Sequence, residues 1–329
     1  MKTPVTLNLH TETWNYQQTF RIAGRSIEGK TFILVELSAQ GKVGRGEAWM
    51  VYYNGETIDS VISDIESLIP DLEKGLSREE LQQRLPAGGA RNALDLALWD
   101  LECKLSGQSI WQLTGIAPKP IATAFTLGIE DTPKEMADKA KLAAPYPLLK
   151  IKLDSDRPVE RIEAIRAARP DVRLIIDVNQ GWSFEQLKDV APALKTLGVE
   201  MIEQPLPRGK DSELEGYNSP IILGADESCL DRSELADVAK RYQMVNIKLD
   251  KTGGLTEALL LADAAKQQGL ELMIGNMGGT SLCIAPGFVV GQHCRYADLD
   301  GPLLLKYDRA NPMRYSNEMI EIPDPQLWG

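Results

Sequence analysis

Residues 148–153 read LLKIKL, 174–179 LIIDVN, 199–205 VEMIEQP, 221–227 IILGADE and 244–250 MVNIKLD. Each is a short apolar run interrupted by charge near its C-terminal end, and an amphipathic stretch follows it. Three more runs flank them: IATAFTLGI (121–129), ELMIGNM (271–277) and CRYADLD (294–300). One polar residue near the end of each run, namely Thr126, Lys152, Asp177, Glu203, Asp226, Lys248, Asn276 and Asp298, recurs every 22 to 28 residues. Eight strand–helix units of near-constant length predict an α/β fold, a (β/α)8 barrel. An open doubly wound sheet would show fewer units and a Gly-rich phosphate loop, and no GxGxxG follows the first run.

The residues before the barrel read differently. TFILVEL (31–37) and GKVGRGEAW (41–49) predict an antiparallel meander with turn glycines. Ile58, Val61, Ile62, Ile65, Leu68 and Ile69 then recur at helical spacing. A second helix, RNALDLALWDLECKLSG, ends at Gly107, a natural C-cap. The first 115 residues are therefore expected to form an α+β unit ahead of the barrel.

Composition narrows the chemistry. The chain has 329 residues, with 36 Lys+Arg against 47 Asp+Glu, a net charge of −11. That balance repels phosphate backbones and argues against nucleic acid as a partner. The two histidines, His10 and His293, are too few for a His-rich zinc site. Proton chemistry is therefore expected to run on Lys, Asp or Glu. The four separated cysteines read as free thiols in a reducing compartment. Neither a signal peptide nor a membrane-length apolar run is visible, so a soluble cytoplasmic protein is expected. Met136, Trp99 and Trp111 lie in apolar contexts that predict core positions.

Active sites of such barrels lie at the C-terminal ends of the strands. Asp177, Glu203 and Asp226 come from three consecutive runs and converge on one side of the mouth. Singly, each acid is as readily a helix cap. Together they repel one another unless a cation sits among them, and a hard divalent ion that keeps open positions, Mg²⁺, fits best. Lys152 and Lys248 flank the trio on strands two and six, opposite walls of a closed barrel. Their ammonium groups face each other across the mouth, as a pair of acid/base catalysts would; neutralising the carboxylates is the alternative. Lys150 shares a face with Lys152 and puts a second positive charge beside it, which favours loss of its proton.

The set Lys150-Ile-Lys152, Asp177-Val-Asn179, Glu203-Gln-Pro205, Asp226-Glu-Ser228 and Lys248-Leu-Asp250-Lys-Thr-Gly-Gly254 resembles the enolase superfamily, in its muconate-lactonizing-enzyme-like subgroup. The resemblance covers almost the whole chain and implies an α+β capping domain over 1–115, a barrel of modified TIM type over 116–305, and a tail over 306–329 that returns to the cap. It implies an isomerase that removes a proton alpha to a carboxylate, with Mg²⁺ stabilising the enediolate. The branch with a histidine base on strand seven does not fit, because Asn276 and Met277 occupy that region.

Within the subgroup, Asp298-Leu-Asp300 resembles the pair by which dipeptide epimerases hold the substrate's α-ammonium. The alternative is helix capping or a salt bridge to the cap. Thr126 matches the family position that contacts the peptide's carboxylate end. The loop Phe20-Arg21-Ile-Ala-Gly-Arg25-Ser resembles the epimerases' lid, with Arg25 first and Arg21 second as partner for an acidic side chain. Trp49–Gly55 is an aromatic second loop expected to help close it. The resemblance thus implies L-Ala-L-Glu and L-Ala-D-Glu type substrates and residues Lys150, Met277 and Gly278 at the substrate. One departure is that Gly278 and Gly279 stand where bulkier residues are expected, which leaves the accepted side chains open. Family members form homo-oligomers, and no patch in the sequence points to one. Alternatives are an N-acylamino acid racemase or another cycloisomerase-type member, and, in a different class, a non-catalytic ligand-binding protein on the same fold. The intact lysine pair argues against the last.

Overall fold

A computed structural model describes residues 3–22, 25–316 and 319–329, without the side chain of Arg25. Strands β1 (Thr6–Ile22), β2 (Arg25–Ala39) and β3 (Lys42–Ala48) form the expected antiparallel meander. β2 is buried on both faces over residues 32–35. Ile33, Val35 and Leu37 enter a core shared with the helix Gly89–Ser106, while Leu34 enters the barrel's core and Phe32 packs with Trp49 and Met277. Gly44 and Gly46 are strand residues rather than the expected turn glycines. A Cβ on Gly46 would stand 2.1 Å from the Ala93 carbonyl, and one on Gly44 2.2 Å from that of Ala97, so both are bare because the helix lies directly on the strand. The helix ends where expected, at Gly107 with φ +71°. The first expected helix is shorter than its periodicity: it spans Ile58–Ser67, with Thr57 and Ser60 forming a capping box, and a separate turn carries Pro70.

The run at 121–129 splits. β4 (Ile121–Ala122) leaves the barrel, and β5 (Phe125–Leu127) opens it. β6 (Leu148–Lys152), β7 (Arg173–Asp177), β8 (Val199–Glu203), β9 (Ile222–Ala225), β10 (Met244–Ile247), β11 (Glu271–Ile274) and β12 (Tyr296–Ala297) follow in a parallel sheet ordered as in the chain. The sheet curls until its ends meet: the Ala124 N–H donates to the Ala297 carbonyl at 2.7 Å, and the Leu299 N–H to Thr123 Oγ1 at 3.0 Å. β13 (Tyr315–Ser316) and β14 (Met319–Ile320) pair with β4 in a small outer sheet.

Full helices follow β5, β6, β7, β10 and β11, but not every strand. Between β8 and β9 the stretch LPRGKDSELEGYNSP is too rich in Pro, Gly, Asn and Ser to sustain one, and only a 3₁₀ turn forms at Asp211–Leu214. Between β9 and β10 the α-helix is one turn, Leu235–Val238, and after β12 another, Gly301–Leu304. The tail bonds to the cap: Arg45 donates to the Leu327 carbonyl, and Trp328 Nε1 to the Leu96 carbonyl at 3.1 Å. Met136 and Trp99 are buried, and Trp111 packs on Phe288. His10 lies in β1 and His293 just before β12. The cysteines are free. Among the described residues no helix is long and apolar enough to cross a membrane.

Candidate active site

Strand alternation builds the barrel interior in layers. Ala124, Leu148, Ile175, Met201, Met244, Met273 and Tyr296 form an apolar plug at the N-terminal end. Two residues on, the inward positions become Thr126, Lys150, Asp177, Glu203, Asp226, Asn246 and Asp298, all buried. A further two residues on, Lys152 and Lys248 rise to the mouth from opposite walls. The cap covers this mouth with Tyr16, Phe20, Ile22, Ile27, Lys30, Trp49, Tyr52 and Tyr53. Thr126, Lys150, Lys152, Lys248, Met277, Gly278, Asp298 and Asp300 all line the same cavity.

Asp177, Glu203 and Asp226 are fully buried, and one oxygen from each lies within 4.8 Å of the others. Three lysines stand against them. Lys152 Nζ donates to Asp177 Oδ2 at 2.6 Å and to Asn179 Oδ1 at 3.0 Å. Lys248 Nζ donates to Asp226 Oδ2 at 2.6 Å. Lys150 Nζ lies 2.7 Å from Asp298 Oδ2, 2.8 Å from Glu203 Oε2 and 3.1 Å from Asp177 Oδ2. Burial opposes the charge of Lys150, but these three carboxylates outweigh it and hold its pKa well above the usual lysine value. Lys150 thus stands beside Lys152 as a positive charge balanced by three carboxylates. Lys248 is likewise raised, against burial, chiefly by Asp226.

The donor set fits a hard divalent cation. Glu203 Oε2 is buried 2.8 Å from Lys150 Nζ, and among the described residues no donor hydrogen-bonds to it. Burial and the neighbouring Asp177 push the Glu203 carboxyl up to about 7, whereas, against burial, Lys152 and Lys150 hold Asp177, and Lys248 and Lys251 hold Asp226, below the usual carboxylate range. Three carboxylates with no sulfur or imidazole among them suit Mg²⁺.

Asp298 and Asp300 sit side by side as alternation predicts, joined through Thr126. The Thr126 N–H donates to Asp300 Oδ2 at 2.7 Å and its hydroxyl to Asp298 Oδ1 at 3.1 Å. Burial, and then Asp298, raise the Asp300 carboxyl to about 7. Arg21 does not line the cavity; its guanidinium bonds Asp131 at 2.8 Å on the surface. The Arg25 side chain lies outside the described residues. Gly278 and Gly279 have φ of +80° and +139°, and a Cβ on Gly278 would stand 2.9 Å from the Tyr16 hydroxyl. Their bareness is a backbone requirement of the turn.

Several residues at or beside the site were given no role by the sequence, although Glu227 and Lys251 lie within the quoted motifs. Lys30 bonds the Met277 carbonyl at 2.6 Å and stacks on Trp49. Glu227 lies beside the triad with Oε2 unsatisfied, its carboxyl raised to about 8 by burial and Asp226. Asn246 was findable, being two residues before Lys248 on one face; its neutrality hid it. Lys251 is buried on a one-turn helix, where no periodicity marks it.

Residues 5–115 match the family described as mandelate racemase / muconate lactonizing enzyme, N-terminal domain, and residues 134–326 match enolase C-terminal domain-like. The chain is 47% identical over 320 residues to an L-Ala-D/L-Glu epimerase of Escherichia coli K12, covering 96% of this chain and 99% of that one. It is 42% identical over 276 residues to an N-acetyl-D-glutamate racemase of a Pseudoalteromonas species, covering 83% and 87%. Its fold superposes with TM-score 0.92 on a Methylococcus capsulatus dipeptide epimerase complexed with Mg and L-Arg-D-Lys, at 29% identity and covering 100% and 99%.

Proposed function

This chain belongs to the enolase superfamily, in its mandelate racemase/muconate lactonizing enzyme group, and from that premise we propose that it is a Mg²⁺-dependent dipeptide epimerase. It inverts the α-carbon of the C-terminal residue, with L-Ala-D/L-Glu type peptides as substrates. One observation carries the reading: Lys152 and Lys248 reach the same cavity from opposite walls, each hydrogen-bonded to a different carboxylate of the buried triad. A protein that merely bound a ligand would have no use for two opposed bases.

Asp177, Glu203 and Asp226 would hold the ion, which supplies Lewis-acid stabilisation of charge developing on the substrate carboxylate. The chain's own groups do the rest. One lysine, neutral, takes the α-proton, and the other, as ammonium, delivers a proton to the opposite face; the roles of Lys152 and Lys248 exchange in the reverse direction. Asp298 and Asp300 receive the α-ammonium, with Thr126 fixing their carboxylates. Lys150 keeps the acids of both groups at set distances beneath the substrate. Met277 and Gly278 wall the pocket, and Trp49, Tyr52, Tyr53 and Phe20 exclude water above it. Arg25 remains the candidate for an acidic side chain. The same reading makes the protein a cytoplasmic homo-oligomer that leaves nucleic acid alone, with the cap, barrel and tail divided as the sequence suggests.

A second reading has a specific observation in its favour. Lys150 already neutralises Asp298, and an N-acylamino acid, which has no ammonium, would leave that pair intact. A side-by-side assay separates them. L-Ala-L-Glu and N-acetyl-L-glutamate are incubated with protein and Mg²⁺, and the epimers resolved by chiral chromatography. The dipeptide should be epimerised at least tenfold faster; the reverse order overturns the leading reading.

A further inference from the structure

Each carboxylate of the triad has one oxygen already taken by a donor that belongs neither to the triad nor to the opposed lysine pair. Asp177 Oδ1 accepts the Asn179 N–H at 2.9 Å. Glu203 Oε1 accepts Asn246 Nδ2 at 2.7 Å. Asp226 Oδ1 accepts Lys251 Nζ at 2.7 Å. The second oxygens, Asp177 Oδ2, Glu203 Oε2 and Asp226 Oδ2, are those that face Lys150, Lys152 and Lys248. The second oxygens of Asp177 and Asp226 are held only by lysines that line the cavity or its floor, and Glu203 Oε2 has no hydrogen-bond donor among the described residues, so these three are the oxygens left for an ion.

The tethers are themselves held rigidly. Lys251 is 1% exposed, and its ammonium also donates to the Asp226 carbonyl at 2.6 Å and the Asn246 carbonyl at 2.8 Å, so all three protons are used. Asn246 is 1% exposed, and Gly275 presses on its amide so closely that a Cβ there would stand 2.7 Å from Oδ1. The main-chain N–H of Asp226 is bound by Gln204 Oε1 at 3.0 Å.

We propose that Asn246 and Lys251, together with the Asn179 amide, set the ion selectivity of this site by denying each carboxylate its second oxygen. The inference rests on the metal reading above. Three single-oxygen ligands suit Mg²⁺, which takes about six ligands in a tight octahedron and keeps several waters; Ca²⁺ takes about 6–8 and recruits carboxylates bidentately. Untying Glu203 or Asp226 restores the bidentate option and should favour Ca²⁺. Removing the charge of Lys251 strengthens both divalent ions alike, so the ratio of affinities isolates the geometric effect.

The test is calorimetric titration of substrate-free wild type, Asn246→Ala and Lys251→Met with Mg²⁺ and with Ca²⁺. The Ca²⁺ to Mg²⁺ ratio of dissociation constants is expected to fall about tenfold in either variant, mainly through tighter Ca²⁺ binding. A shift below threefold in a folded variant overturns the inference. A wild type that binds neither ion removes the metal reading and this inference with it; unchanged ratios in proteins that bind both remove this inference alone. Should neither variant fold, electron spin echo spectroscopy of Mn²⁺-loaded wild type in ¹⁷O-water decides. About three coordinated waters are expected, and two or fewer contradict three single-oxygen ligands.

Discussion

The Lys150 ammonium and the Asp298 carboxylate, 148 residues apart in the chain, meet at 2.7 Å in the buried floor of the cavity. Substrate ammonium must therefore enter a site where one of its two acids is already paired. Asp298→Asn should raise the KM for L-Ala-L-Glu at least tenfold, while N-acetylglutamate, if turned over at all, changes less than threefold. Lys150 keeps Glu203 and Asp177, so the loss of stability in urea unfolding without metal should be modest, about 1–3 kcal/mol. Equal loss with both substrates would contradict the assignment of Asp298 to the ammonium.

Arg21 is engaged by Asp131 at the surface, with side-chain exposures of 48% and 78%. Arg21→Ala should leave the dipeptide KM within about twofold and stability within about 0.5 kcal/mol, as for other exposed pairs. A tenfold rise in KM specific to acidic dipeptides would mean that Arg21 leaves Asp131 when substrate binds.

The barrel was legible because its strands must be apolar where they are buried, so charges inside them stand out. Lys152, Asp177, Glu203, Asp226 and Lys248 were visible for that reason, and alternation alone paired Asp298 with Asp300. The missing helices were over-read from the regular spacing; the breakers between Pro205 and Pro220 carried the signal against one of them. Lys30 and Tyr16 were invisible, since their place over the mouth depends on how β1 and β2 dock on the barrel. Arg21 could not be matched with Asp131, 110 residues away, without coordinates.

Gly46 shows how tightly that docking is set. Gly46→Ala would drive a Cβ to within 2.1 Å of the Ala93 carbonyl and push the cap helix off β3. Overpacking of this kind costs about 1–3 kcal/mol or more. β3 leads through Glu47 and Ala48 to Trp49 at the cavity, so KM should rise along with the fall in Tm. A variant with parental Tm would contradict the packing.

Asp95 joins the cap helix to the barrel, accepting the Thr256 N–H at 3.0 Å and Gln82 Nε2 at 3.1 Å. Burial raises its carboxyl to about 6, although the bonds from Thr256 oppose this. In the unfolded chain such a group titrates near about 4. The folded state thus binds the proton more tightly, and the resulting stabilisation is full below about pH 4 and lost as pH rises through about 6. Asp95→Asn should gain on wild type across that window by about 2–3 kcal/mol, on top of a constant offset for the lost acceptor, and the difference should be flat above it. Urea unfolding at pH 4, 5, 6 and 8 checks this; a pH-independent difference would contradict it.

The central claim is proton transfer at one carbon by two opposed lysines, and deuterium incorporation tests it most directly. In D₂O with Mg²⁺, wild type should place deuterium at the glutamate α-carbon of both L-Ala-L-Glu and L-Ala-D-Glu, followed by NMR. Lys152→Ala should abolish α-exchange from one epimer and Lys248→Ala from the other, since each lysine can abstract only from its own face. No α-exchange by wild type with any dipeptide, or loss of exchange from the same single epimer in both variants, would contradict the account.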